Sequence, residues 1–218
     1  MDARRADVLE QLGIVAFVPR APAAAPASAA AALDWNGLAS AVAGCTRCGL
    51  AATRQNTVFG VGDRRARWLV VGEAPGAEED RQGEPFVGRA GQLLNSMLRA
   101  TGLERGQVFI ANVLKCRPPG NRDPLPAEVE CCLPYLHRQI ALLNPRLILC
   151  VGRIAAQNLL ATDTPIGKLR GRVHLLAPFG TPVVVTYHPA YLLRSPGEKR
   201  KAWDDLRLAM EVADGRSA

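Results

Sequence analysis

Residues 67–94 read RWLVVGEAPGAEEDRQGEPFVGRAGQLL. An apolar run over 68–71 breaks at Gly72, an acidic loop punctuated by Pro and Gly follows, and a helical pattern resumes after Arg89. Strand, loop and helix in that order make the first unit of an open α/β sheet, in which ligands sit beyond the carboxyl ends of the strands. Outward from it lie three more apolar runs: 108–113 (VFIANV), 147–151 (LILCV) and 182–187 (PVVVTY). Their Val/Ile/Leu content suits strands buried on both faces. Helical patterns over 89–101, 126–143 and 152–161 separate them, and a further one covers 198–213. That spacing suits right-handed βαβ crossovers. The expected fold is α/β, a three-layer αβα sandwich on a four-stranded, mainly parallel sheet. Residues 165–181 are irregular and basic, with a short strand expected at Val173–Leu176.

At 218 residues the chain has room for one α/β domain with a full core, plus a tail. The domain is expected over 33–214, beginning with a helix over 34–44. Ahead of it, 19–32 (PRAPAAAPASAAAA) reads as a Pro/Ala tether. Residues 1–18 contain a short amphipathic helix in which Val8, Leu9 and Leu12 share a face and Gly13 is the stop. No apolar run approaches the ~20 residues of a membrane helix. Charges at Asp2, Arg4, Arg5 and Glu10 argue against a secretory leader. The reading is a cytoplasmic monomer with no membrane partner. Its net charge of +7 favours a polyanionic one.

The six cysteines are expected as metal ligands or buried thiols before disulfides. Cys45 and Cys48 form a CxxC, Cys116 lies in KCRPPGNR, and Cys131–Cys132 sit on the 126–143 helix. Soft thiolates suit zinc or an iron–sulfur cluster, and the wide spread of the second pair favours the larger group. Spacing alone leaves Cys131 and Cys132 equal candidates, while Cys150 lies inside a strand and reads as core. At the strand ends stand Gly72-Glu73-Ala74, Asn112 and His188-Pro189. A carboxylate, an amide and an imidazole at one sheet edge can converge on one crevice. No GxGxxG occurs, and in GEPFVGRA, residues 83–90, Arg and Ala replace the Lys and Ser/Thr of a phosphate loop. Dinucleotide binding and nucleotide hydrolysis are therefore set aside.

GEAPGAEEDRQGEPFVGRAGQLL, NVLKCRPPGNRDP and HPAYLLR together resemble the family 4 uracil-DNA glycosylases, the iron–sulfur members of that superfamily. The resemblance covers roughly residues 38–210. It implies a [4Fe-4S] cluster on Cys45, Cys48, Cys116 and Cys132, which selects Cys132 over Cys131. It also implies a uracil pocket made by Gly72, Glu73, Ala74, Phe86, Asn112 and His188. Ala74 departs from the Gly that many relatives carry. The basic, His-containing insertion of the covalently DNA-linking branch is absent, so turnover is expected.

The implied reaction is hydrolysis of the N-glycosidic bond of uracil in single- or double-stranded DNA, the first step of base excision repair. The base must be flipped out of the stack to be reached. Phe86 would stack on it, and Asn112 would accept from N3–H and donate to O4, a pattern that cytosine reverses. His188 would donate to O2 as charge develops. Glu73, with Glu79 behind it, would orient water or stabilise the sugar cation. Lys168, Arg170, Arg172 and Arg194 are expected on phosphates. Tyr191 and Leu192 are expected in the gap left by the flipped base. The competing readings are a non-catalytic DNA- or replisome-binding module on this fold, and a wider base specificity. Finally, RRADVLEQLGIVAFVPR resembles the N-terminal peptide of the psi subunit of the bacterial clamp loader. This implies docking of residues 3–20 on that assembly through Leu9, Leu12, Ile14, Phe17 and Arg4, Arg5, Arg20.

Overall fold

The computed structural model describes residues 29–216, and the expectations for 1–18 and for the first part of the tether lie outside them. Six strands form one sheet: β1 (Val61–Gly62), β2 (Trp68–Gly72), β3 (Phe109–Asn112), β4 (Leu147–Val151), β5 (Val173–Leu176) and β6 (Thr181–Thr186). The helices are α1 (Trp35–Ala43), α2 (Ala77–Gln82), α3 (Arg89–Ala100), α4 (Pro126–Leu143), α5 (Arg153–Leu159), α6 (Ile166–Leu169), α7 (Pro189–Arg194) and α8 (Lys199–Ala213). The sheet order is β1-β3-β2-β4-β6-β5. The four strands expected from the sequence are its parallel centre. Antiparallel β5, the short strand expected at Val173–Leu176, borders it on one side and the unexpected β1 on the other, so the mixed sheet has six strands and not four.

Every residue of β2, β3 and β4 is buried, which is why these segments read as unbroken apolar runs. Alternate residues serve two cores. Leu69, Val71, Ala111, Ile148, Cys150 and Val185 pack with Leu38 of α1 and Leu136 and Ile140 of α4. Trp68, Val70, Ile110, Leu149 and Val184 pack with Leu94 and Leu98 of α3 and Leu206 and Ala209 of α8. Burying a Leu or Ile side chain contributes about 1.5–3 kcal/mol, so both faces need a helical layer. The three-layer expectation holds.

Local chemistry sets the helix ends. Asp34 caps α1 by accepting from the Gly37 N–H at 2.8 Å. In α4, Pro126 occupies the first turn, and Glu128 accepts from the Leu125 N–H at 2.8 Å. Residues 29–32, the end of the stretch read as tether, form a 3-10 turn with Ala30 buried in the α1–α4 core. Packing therefore begins ahead of Leu33.

Candidate active site

A cavity of about 460 Å³ opens at the carboxyl ends of the parallel strands. Glu73, Ala74 and Glu79 reach it from the segment after β2, Phe86 from the loop before α3, Asn112 from the end of β3, and His188 and Arg194 from α7 and its cap. Pro118, Asn121, Arg122 and Asp123 close it from the segment before α4. The sheet order turns at β2, whose neighbours β3 and β4 are reached by successive crossovers. This is the topological position at which such folds leave a crevice.

Gly72 and Asn112 are register partners on β2 and β3. A Cβ on Gly72 would run into the Asn112 amide and would lie 2.6 Å from the tip of the Phe86 ring. The missing side chain is thus the room in which the amide and the ring sit. Asn112 is 2 % exposed, and its Oδ1 has no hydrogen-bond partner among the described residues. A buried acceptor left unpaired costs about 1–3 kcal/mol, a cost that a ligand donor would offset. Phe86 has φ of 55°. Arg105 holds that loop by donating to the Pro85 carbonyl at 2.6 Å and to the Phe86 carbonyl at 3.4 Å. From the other side, Glu79 accepts from the N–H groups of Val87 at 3.0 Å and Gly88 at 3.3 Å. Its second oxygen accepts from Gly76 N–H at 3.1 Å.

The Phe86 and His188 rings stack, with centroids 5.7 Å apart and planes 29° apart. The His188 Nδ1 accepts from the Ala190 N–H at 3.1 Å, capping α7. In the neutral ring the proton therefore sits on Nε2. Burial first, and the Arg194 cation second, push His188 down to about 4, against the pull of Glu79. The ring is neutral at pH 7. Glu73 behaves oppositely: burial, reinforced by Asp123 and opposed by Arg153, raises it to about 7. Asp123 and Arg153 pair at 3.0 Å.

Five of the six cysteines gather at a second site, which shares no lining residue with the cavity. Cys45, Cys48, Cys116, Cys131 and Cys132 line one small apolar void with Lys115, Arg54 and Leu50. Cys116 accepts from Arg54 Nη1 and Cys132 from the Lys115 N–H, each at 3.2 Å. Cys131 instead donates to the Arg47 carbonyl at 3.4 Å. Burial raises the thiol of Cys116, and that of Cys132 to about 11. Among the described residues no group of three or more His, Cys, Asp or Glu is set to hold a single metal ion. Soft donors from separate segments, two of them receiving N–H bonds, fit an iron–sulfur cluster. Cys150 is wholly buried in the core, as expected.

The family model of the uracil DNA glycosylase superfamily matches residues 59–207. The chain is 46% identical over 174 residues to the type-4 uracil-DNA glycosylase of Archaeoglobus fulgidus, covering 77% of this chain and 87% of the relative. It is 45% identical over 153 residues to that of Thermotoga maritima, covering 69% of this chain and 79% of the relative. The type-5 uracil-DNA glycosylase of Thermus thermophilus is 32% identical over 149 residues, covering 60% of this chain and 68% of the relative. The chain belongs to the type-4 uracil-DNA glycosylases.

In this type-4 glycosylase the residues expected on DNA do not all gather at the cavity. Arg194 lines it and is exposed. Arg170 is committed elsewhere: its guanidinium pairs with the buried Asp205 at 2.9 Å, donates to the Lys201 carbonyl and covers the Tyr187 ring at 4.9 Å. Lys168 and Arg172 line a separate groove beside β5 with His174 and Leu175. Tyr191 packs on Tyr187 with centroids 5.0 Å apart. Leu192, expected as a wedge, is 1 % exposed in the α3–α8 core, whereas its neighbour Leu193 is 37 % exposed. Sequence reasoning missed Arg105, Leu193, Lys115 and the Asp123–Arg153 pair. Asp123 and Lys115 lay inside the quoted NVLKCRPPGNRDP motif, which was the available signal.

Proposed function

We propose that the cavity receives a uracil flipped from DNA and that the chain hydrolyses its glycosidic bond, leaving an abasic site. The observation that carries this reading is the buried, unpaired amide oxygen of Asn112 beside a neutral imidazole. Uracil N3–H offers the donor that this oxygen lacks, and the Asn112 amide nitrogen can donate to O4. Cytosine presents the reverse edge and would leave both groups unpaired. Phe86 supplies the stacking face. His188 Nε2–H donates to O2, where negative charge collects as the C1′–N1 bond breaks and its electron pair leaves with the base. A neutral donor suits this task, because it stabilises the anion without giving up its proton.

Glu73 as carboxylate stabilises the developing sugar cation and takes a proton from the water that adds to C1′. Glu79 is assigned to holding the Phe86 loop, since its oxygens already accept from backbone N–H groups. Cys45, Cys48, Cys116 and Cys132 are assigned as the ligands of a [4Fe-4S] cluster. Bound there, the group supplies a rigid link between three chain segments and no electron transfer to the hydrolysis. Arg194, with Lys168 and Arg172 further out, is assigned to phosphates, and Leu193 replaces Leu192 as the residue for the vacated stack. A cytoplasmic monomer acting in base excision repair is the accompanying reading. Among the described residues no helix is long and apolar enough to cross a membrane.

The test is incubation of the purified chain with an oligonucleotide containing one uracil, followed by alkaline cleavage. Strand scission at the uracil supports the reading, and its absence with an iron-replete protein rejects it. Clamp-loader docking of residues 3–20 rests on the sequence pattern alone. It predicts that purified clamp loader retains the full chain and loses a version starting at Leu33; equal retention of both, or retention of neither, would reject it.

A further inference from the structure

Two sites described separately above share one short piece of chain. Asn112 ends β3 in the uracil cavity, and Cys116 lies in the cysteine site. The backbone between them is zipped to neighbours: Val113 N–H donates to the Gly72 carbonyl at 2.9 Å and Leu114 N–H to the Glu73 carbonyl at 3.0 Å. Lys115 lies within this stretch, and its own carbonyl accepts from the Val58 N–H at 2.7 Å.

Lys115 is 1 % exposed. Among the described residues no carboxylate pairs with it. Its Nζ instead donates back to the main-chain carbonyl of Asn112 at 2.8 Å and across to Gln139 Oε1 at 2.7 Å. Gln139 is fully buried on α4, two turns from Cys132, and its Nε2 donates to the Phe59 carbonyl at 2.9 Å. The Lys115 main-chain N–H donates to Cys132 Sγ. One residue therefore grips a cysteine with its backbone and the uracil-reading residue with its side chain. A buried amine is costly unless its donors are used, and here they are taken by the Asn112 carbonyl and the Gln139 amide oxygen.

We propose that Lys115 is a positioning residue through which the cysteine site holds the Asn112 end of β3 in its uracil-reading place. This rests on the reading of both sites given above. The cysteine site is then coupled to base recognition without touching the base. Loss of its occupant would free Cys132, then Lys115, then the Asn112 carbonyl.

The first test uses the full-length Lys115→Met protein, which keeps the length of the side chain and removes charge and donors. Iron content and absorbance near 400 nm report the cysteine site. Inhibition by free uracil and the split between KM and kcat on uracil-containing DNA report the pocket. The expected result is retained iron, at least tenfold weaker inhibition by uracil and at least tenfold lower kcat, with KM for DNA within about twofold. Retained iron with uracil inhibition within twofold of the parent would overturn the proposal.

A Lys115→Met protein that fails to fold or to keep iron shifts the decision to the unaltered chain. There, hydrogen exchange at the Val113 and Leu114 amides is compared before and after chelation of the iron. Faster exchange at these amides, with the β4 amides of Leu149 and Cys150 unchanged, supports the coupling; unchanged exchange at all four rejects it. A parent protein that excises uracil but never contains iron would refute the cysteine reading, and with it this proposal, while leaving the pocket reading intact.

Discussion

At the scale of single residues, the cavity sets two ionisable groups apart. Burial lowers His188 to about 4 and raises Glu73 to about 7, so at neutral pH one is an uncharged donor and the other is half ionised. Only the carboxylate form of Glu73 can meet a sugar cation, and that form grows as pH rises through the raised pKa. The single-turnover rate is therefore expected to climb with pH and level off above about 7. Glu73→Gln should be slower and should lose this limb. A parent profile flat from pH 5.5 to 8.5 would remove Glu73 from the chemical step. His188→Ala deletes one donor aimed at developing charge, and such donors contribute about 3–4 kcal/mol, or roughly 10²–10³ in rate. The measurement is single-turnover excision beside a DNA-binding titration. Binding that falls as much as the rate would show a loss of fold and not of catalysis. Asn112 and His188 were legible in the sequence because each stands where an apolar strand run ends. Arg105 and Lys115 were not, because a basic residue in a sequence reads as solvated surface. Only their donation to buried carbonyls sets them apart.

At the scale of elements, the loop before α3 is held by charge from both sides. Glu79 takes its N–H groups and Arg105 its carbonyls, with Phe86 between them at positive φ. Gly91 in the first turn of α3 lies so close to the Phe86 carbonyl that no Cβ fits. Arg105→Met removes the donors and leaves the carbonyls. It is expected to cost roughly 1–3 kcal/mol in stability and to lower kcat more than KM, because stacking is lost but phosphate contacts remain. Chemical denaturation and steady-state kinetics check the two halves. A destabilised variant with parental kinetics would show that the loop does not need the clamp to place the ring. Element boundaries were read closely for both the helices and the central strands: α4 occupies 126–143 as expected, and the parallel strands deviate by at most one residue at their ends. β1 escaped notice because two residues carry no periodicity. The choice between Leu192 and Leu193 depended on how α7 is rotated, and a helix of six residues has too few apolar positions to reveal it.

At the scale of the whole molecule, the sheet divides the interior into two cores, while its strand ends bring Glu73, Asn112 and His188 together on one rim. The fold class was legible because only a doubly covered parallel sheet explains four uniform apolar runs separated by helices. Of the two antiparallel borders, β5 was read at its observed bounds, Val173–Leu176, and only the two-residue β1 was not. β5 has a physical consequence of its own. It is the last strand of the sheet, and its outer row of N–H and C=O groups is open to any second strand that approaches. Leu175 is 69 % exposed and Val173 is 39 % exposed. Two chains meeting edge to edge would extend the ladder and shelter these side chains from water. The net charge of +7 opposes that meeting in dilute buffer, and salt screens the repulsion. Concentrated stocks are therefore expected to turn turbid sooner at 0.5 M than at 0.05 M salt, because the Debye length shrinks from roughly 14 Å to roughly 4 Å. Leu175→Lys should delay the onset by placing a charge on the open border, with the melting temperature unchanged. Light scattering that is indifferent to the substitution would show that the chains stick through another surface.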